Sequence, residues 1–206
     1  MGVLSRLFVS ASLLLFVGCA HRVDIGPTDL DRLSKNVSIP NKTKIDKAVG
    51  YYIPAAEKEK VFSASIGDGE KINFQAYKNI EPGLHRALSN LYTKVVPLAS
   101  ANDRAVISQH NLAYVFIPTI TTESALKPAS MTKDGSEAKF TLFLDFKALD
   151  AAGQAITQKR AQGRGSYVYY PPEDKKEVFG KVAQEASANA LRALQDEIYR
   201  VAELHK

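Results

Sequence analysis

Alternating apolar and polar residues mark a strand between residues 140 and 148. The apolar positions are Phe140, Leu142, Leu144, Phe146 and Ala148. Successive side chains of a strand point to opposite faces, so this spacing predicts a strand with one buried face. An Asp-x-x-Gly turn over 150–153 predicts a hairpin. The return strand, over 154–165, is polar and should have a solvated outer face.

A second periodicity, of three and four residues, predicts the helices. One helix is expected over 80–95, with Asn79 as its cap and Pro82 in its first turn, and a long one over 172–202. Alanines on the apolar face of the long helix would allow close packing on a sheet. A short helix is expected over 103–110, closed by Asn111.

Shorter extended segments complete the pattern. They are expected over 48–53, 60–66, 72–74, 95–98 and 112–121. Residues 112–121 are apolar on both faces, which is typical of a central strand, and Pro118 within them indicates a bulge or a partly free edge. The segment 55–59 is interpreted as a polar link and 122–138 as a long polar connection. The Gly-x-Gly pairs at 67–69 and 163–165 are interpreted as turns or bulges, since neither has the further residues of a phosphate-binding loop.

The order of these elements predicts an α+β fold. We expect a mixed sheet with two longer helices and one short helix packed mainly on one face, as in an α/β sandwich.

The N-terminal residues have the pattern of a signal peptide. Arg6 precedes thirteen mostly apolar residues, 7–19. A membrane-spanning helix needs about 20 apolar residues, so this run is short for a span and fits a signal peptide better. A buried N-terminal helix is the alternative. The resulting division is a signal peptide over 1–18, a flexible tether over 19–46 and a single α/β domain over 47–206.

The end of the apolar run, Phe16-Val17-Gly18-Cys19, resembles the lipobox of bacterial lipoproteins. That resemblance implies cleavage before Cys19, which is the only cysteine of the chain. It also implies that Cys19 then carries three acyl chains, two in a diacylglyceryl thioether and one linked through an amide. Three acyl chains exceed the two signals that stable membrane attachment requires. Ala20 follows Cys19, and the sorting rule of enterobacterial lipoproteins then implies the outer membrane, facing the periplasm.

Composition narrows the possible functions. A single cysteine excludes an intramolecular disulfide framework and a zinc site built from several cysteines. The formal charge is +5, and loss of the signal peptide would leave +4. This modest charge suits weak attraction to anionic envelope polymers. The Lys and Arg residues are dispersed, so we do not expect nucleic acid as a partner.

No sequence motif indicates catalysis. The four histidines lack metal-ligand spacing, and both Ser-x-x-Lys patterns, at 124–127 and 130–133, lack the Lys-Thr-Gly sequence that accompanies them in penicillin-recognising enzymes. We therefore expect no catalytic residue, no metal, no cofactor and no enzymatic activity.

Two segments resemble small periplasmic accessory lipoproteins. Residues 104–118 are similar to the short helix and following strand of the TolB N-terminal domain and of the LpoB and CsgG lipoproteins, and residues 140–165 to their hairpin. The lipopolysaccharide-assembly lipoprotein LptE is another small α/β sandwich of this kind. These resemblances imply a non-enzymatic adapter that binds a larger envelope complex.

Tyrosines and arginines provide the candidate binding face. It comprises Tyr51, Tyr52, Arg160, Arg164, Tyr167, Tyr169 and Tyr170. Tyrosine and arginine are enriched in protein interfaces, although the same residues can be ordinary sheet packing. We expect an accessory or assembly lipoprotein that binds an envelope protein complex through this face or the 122–138 segment. The alternative is a module that binds lipopolysaccharide or peptidoglycan with the same residues.

Overall fold

The computed structural model of the chain describes residues 21–22, 44–67, 69–128 and 135–205. Its strands are β1 (His21–Arg22), β2 (Ile45–Tyr51), β3 (Phe62–Ser65), β4 (Lys71–Phe74), β5 (Tyr92–Pro97), β6 (Leu112–Pro128), β7 (Ser136–Asp150) and β8 (Ala155–Tyr169). Its helices are α1 (Ala55–Lys58), α2 (Ala76–Leu91), α3 (Arg104–Gln109) and α4 (Lys175–Arg200), followed by a 3-10 turn (Ala202–His205).

The main sheet has five strands in the order β5-β2-β6-β7-β8. β2 is parallel to both β5 and β6, whereas β6, β7 and β8 form an antiparallel meander. A smaller sheet has the order β1-β4-β3. The predicted α+β class with a mixed sheet is confirmed.

The two long helices cover one face of the main sheet. The apolar side of β7, from Phe140 to Ala148, packs with α2 and α4 in one large core. The short helix α3 lies on the opposite face, where Ile107 joins Val115 and Leu149 in a second, smaller cluster. Helix packing is therefore mainly, but not wholly, on one face.

Close contact between β8 and α4 depends on two glycines of the strand. A Cβ atom at Gly163 would lie 2.0 Å from the Ala186 carbonyl oxygen, and one at Gly165 would lie 2.1 Å from that of Val182. The predicted turn or bulge at 163–165 is therefore wrong, because both residues lie within the regular β7–β8 ladder. The turn at 67–69 is confirmed, since Gly67 and Gly69 have positive φ angles.

Pro118 lies at a free edge of β6, as one of the predicted alternatives stated. β2 stops pairing at Phe116, whose carbonyl accepts from the Tyr52 amide at 2.9 Å. The backbone groups of residues 116, 118 and 120 point to this same side, because they alternate along a strand. The Ile120 amide there donates to the Tyr77 hydroxyl at 3.0 Å. Proline has no amide hydrogen to leave unpaired at this edge.

Several predicted boundaries are corrected. α2 begins at Ala76 and ends at Leu91, so Asn79 is not its cap and Pro82 lies beyond its first turn. The segment 55–58 is a short helix rather than a link. Residues 122–128 and 136–138 are paired strands rather than a connection, because β6 and β7 hydrogen-bond from Tyr114–Asp150 to Pro128–Ser136.

Other local predictions are confirmed. The short helix predicted over 103–110 is present as α3, and Asn111 follows it with a φ of 48°. Asp103 caps this helix by accepting a hydrogen bond from the Val106 amide at 3.1 Å. The Asp150 side chain accepts from the Gln154 amide at 2.7 Å in the β7–β8 hairpin. Cys19 and the predicted signal peptide lie outside the described residues. Of the predicted tether, His21 and Arg22 form β1, and β2 begins at Ile45, two residues before the expected start of the domain.

Candidate functional site

The meander of β6, β7 and β8 has one face that the two long helices leave uncovered, and we call its outward side chains the open face. Strand pairing places Glu123, Thr141 and Arg164 in one row across the three strands, and Thr121, Phe143 and Gln162 in the next. Directly paired residues of antiparallel strands project to the same side. Most of these side chains are exposed, and Thr141 and Phe143 are half-buried.

Phe143 is the aromatic centre of the open face. The guanidinium carbon of Arg160 lies 5.4 Å from its ring centroid, within range of a cation–π interaction. Arg160 also donates two hydrogen bonds to Asp145, at 2.8 and 2.9 Å. These bonds and the charge of Asp145 raise the pKa of Arg160. The planar pair holds the guanidinium beside the ring in one orientation.

A depression that is open to solvent lies across β7, between β6 and the edge strand β8. It encloses about 450 Å³, and its outward-facing lining includes Glu123, Lys139, Thr141, Phe143, Gln162, Arg164 and Ser166. Lys139 is paired with Glu137 at 2.9 Å. With the Gln162 amide oxygen turned towards it, the Arg164 guanidinium donates from Nε and Nη2 at 2.8 and 3.1 Å. A neutral amide thus positions Arg164 without neutralising its charge.

The seven residues of the predicted Tyr/Arg face do not lie on one surface. Arg160 and Arg164 are on the open face. Tyr51 lies on β2, separated from β8 by two strands of the sheet, and its side chain is buried in the large core. Tyr52 packs on the smaller cluster with α3. β6 and β7 separate Tyr51 and Tyr52 from the tyrosines of β8.

The tyrosines at the end of β8 also do not share one surface. Tyr169 is buried in the core. Tyr167 and Tyr170 are exposed at the end of β8, where Glu173 accepts from the Tyr167 hydroxyl at 3.2 Å and from the Tyr170 amide at 3.0 Å. These two tyrosines form a separate surface beside the start of α4, which we call the tyrosine end together with Val168.

Tyr51 takes part in a polar cluster away from both surfaces. Its hydroxyl lies 3.4 Å from Glu81, which is paired with Lys58 at 2.7 Å. Burial, together with the Glu81 carboxylate, raises the pKa of Tyr51 to about 12. The phenol is therefore a donor at neutral pH, with a structural role between β2 and α2.

The described residues contain no group of three or more His, Cys, Asp and Glu side chains that could hold a metal ion. The helices in that part of the chain are too short or too polar to cross a membrane. Phe143, Gln162 and the threonines of the open face were not among the predicted site residues. The alternation of β7 places Thr141 and Phe143 between its buried apolar positions and could have indicated these two residues.

Solved structures of other proteins have a similar fold. No family model matches the chain, and neither does any curated protein. A Helicobacter pylori protein described as a homologue of neuraminyllactose-binding hemagglutinin has a similar structure, with a TM-score of 0.53, 12% identity, and coverage of 82% of this chain and 93% of its own. The solved structures that match also include lipoproteins. The rare lipoprotein B of Shewanella oneidensis has a TM-score of 0.44 and 15% identity, with 76% of this chain and 99% of that chain covered. A minor lipoprotein of Acinetobacter baumannii has a TM-score of 0.41 and 17% identity, with 73% and 94% covered.

Proposed function

We propose that the protein is a lipid-anchored accessory lipoprotein of the bacterial envelope, which binds a partner protein through its open face and performs no catalysis. The open face carries this proposal. It lies on three strands of 15 to 17 residues, beyond the end at Val115 and Leu149 that α3 covers. The two long helices lie against the other side of the sheet. An antiparallel sheet with one uncovered face is stable alone when that face is polar, and its long side chains remain available to a partner.

The chemistry of the open face suits a protein partner. Phe143 and Arg160 form a preorganised aromatic and cationic centre, surrounded by threonine and glutamine side chains that can donate and accept hydrogen bonds. Aromatic residues and arginine are enriched at the energetic centres of interfaces, and polar groups at their rims. The extension of the open face over three strands suits a broad contact better than a small enclosed ligand.

The lipid anchor rests on the N-terminal sequence. The apolar run before Cys19 and its resemblance to a lipobox support acylation, and Ala20 supports delivery to the outer membrane. Wild type should incorporate radiolabelled palmitate and Cys19→Ala should not. Equal labelling of both would refute the anchor. Ala20→Asp should move the protein to the inner membrane fraction.

Binding can be tested by cross-linking in living cells, followed by affinity capture and mass spectrometry. We expect one envelope protein with wild type, and its loss with Arg164→Glu combined with Thr141→Glu. Glu185→Lys, on an exposed position of α4, is the control and should retain the partner. Retention by the open-face variant would refute binding through this face.

The depression favours a second candidate, binding of an anionic glycan or of lipopolysaccharide. Its volume of about 450 Å³ is in the range of ligand sites, and Lys139 and Arg164 could contact phosphate or carboxylate beside Phe143. Capture of lipopolysaccharide or glycan without a protein above background would favour this candidate.

A further inference from the structure

The start of the mature chain lies against the small sheet. β1 is parallel to β4, with His21 opposite Ile72 and Arg22 opposite Asn73. Cys19 precedes His21 by two residues in the sequence, and a chain extends by at most about 3.6 Å per residue. If Cys19 carries the anchor, as the proposed function holds, its acyl chains begin close to the β3–β4 turn.

This turn is at the same end of the molecule as the tyrosine end. Gly67, in the turn, contacts β6, since a Cβ atom there would lie 2.6 Å from Leu126 Cδ2. Leu126 pairs with Ala138 of β7, and Ala138 pairs with Tyr167 of β8. Adjacent strands are about 4.8 Å apart, so Tyr167 is about 10 Å across the sheet from Leu126.

The tyrosine end has the residues expected at a lipid–water boundary. Tyr167, Val168 and Tyr170 are 43%, 41% and 43% exposed. Tyrosine is enriched at membrane interfaces because its ring is apolar and its hydroxyl remains hydrated. Lys71 and Lys127 are exposed in the same region, and lysine side chains can extend towards lipid headgroups.

We propose that the tyrosine end rests on the bilayer, with Tyr167, Val168 and Tyr170 in its interfacial region beside the acylated N-terminus. The partner of this surface is the lipid headgroup layer itself. Two attachments at one end fix the orientation of the domain. β6, β7 and β8 then extend away from the membrane, which leaves the open face accessible.

The absence of tryptophan from the chain makes this orientation directly measurable. Tyr170→Trp introduces a single tryptophan at the tyrosine end. Tyr199→Trp is the matched control, because Tyr199 is 39% exposed and lies near the other end of α4. A helix rises about 1.5 Å per residue, so the two ends of α4 are about 39 Å apart. Both variants, full-length and recovered from membranes, would be reconstituted in vesicles of phosphatidylethanolamine and phosphatidylglycerol, with or without phosphatidylcholine brominated on its acyl chains.

We expect the emission of the Tyr170→Trp variant to shift to shorter wavelength in vesicles and to be quenched by the brominated lipid, with no change for the Tyr199→Trp variant. Equal quenching of both variants, or quenching of neither, would overturn the proposed orientation. Mass spectrometry of the same samples separates this failure from that of the proposed function. Acyl chains on Cys19 without quenching of the Tyr170→Trp fluorophore refute only the orientation, whereas an unacylated Cys19 refutes the anchor and the orientation with it.

Discussion

The contact between β8 and α4 predicts a large effect of one added methyl group. In Gly163→Ala the new Cβ atom would lie 2.0 Å from the Ala186 carbonyl oxygen and 2.2 Å from the Ala190 amide nitrogen. Favourable contacts of carbon atoms lie at about 3.5–4.0 Å, so strand and helix must separate locally by about 1.5 Å. Both clashing atoms belong to the backbone, so no change of side-chain rotamer can relieve the clash.

The expected cost is at the upper end of the range for overpacked cores, about 3 kcal/mol in the free energy of unfolding. For a domain of this size that corresponds to a fall in Tm of about 6–12 °C. Gly165→Ala should behave alike, since its Cβ atom would lie 2.1 Å from the Val182 carbonyl oxygen.

Gly180→Ala, on the helix α4 that Gly163 and Gly165 contact, is the matched control. A Cβ atom at Gly180 has nothing within 4 Å. Alanine is favoured over glycine inside a helix, so this variant should gain about 0.5–1 kcal/mol. Urea unfolding of the three variants, monitored by circular dichroism, measures both the predicted destabilisation at Gly163 and Gly165 and the predicted stabilisation at Gly180. A midpoint for Gly163→Ala equal to or above that of wild type would refute the close contact.

Three further predictions concern buried hydroxyls, pH and the end of the hairpin. The Tyr92 hydroxyl is buried and has no hydrogen-bond partner among the described residues, so Tyr92→Phe should raise the free energy of unfolding in urea by about 1 kcal/mol. Tyr77→Phe leaves the Ile120 amide unpaired and should lower the free energy of unfolding by about 1–3 kcal/mol. Burial raises the pKa of Tyr51 to about 12 and raises that of Tyr92 also. The unfolded chain then loses phenol protons from about pH 10 that the folded chain retains. The urea concentration at the unfolding midpoint should therefore decrease as the pH rises from about 10 to 12. A midpoint that stays constant over this range would contradict the prediction. Arg104 donates to the carbonyls of Ala151 and Ala152, and Arg104→Ala should accelerate amide exchange in the β7–β8 hairpin more than Arg86→Ala does on α2.

Local elements could be predicted where a short stretch of sequence determines them. The alternation of β7, the short helix α3 and the turn at Asp150 each depend on residues only a few positions apart. The predicted start of α2 was four residues too late because its first turn, from Ala76 to Asn79, contains only two apolar side chains. Residues 122–128 are polar because one side of β6 is solvated there, and their pairing with β7 is set by backbone hydrogen bonds.

The candidate site could be predicted only in part. The polar composition of the return strand indicated a solvated face, and Arg160 and Arg164 lie on that face. It could not show that β6 and β7 lie between β8 and β2, because strand order depends on contacts distant in sequence. The close contact at Gly163 was also not visible, since the residues that require it, Ala186 and Ala190, lie on a helix well beyond the strand in sequence.

The central claim is that the open face binds an envelope protein, and site-specific photo-cross-linking in living cells tests it most directly. A photoreactive phenylalanine analogue would replace Phe143 at the centre of the open face, or Tyr199 as an exposed aromatic control on α4. The account predicts a protein adduct of defined mass from position 143 that is absent from position 199 and is lost with Arg164→Glu. No protein adduct at 143, or the same adduct from both positions, would contradict it.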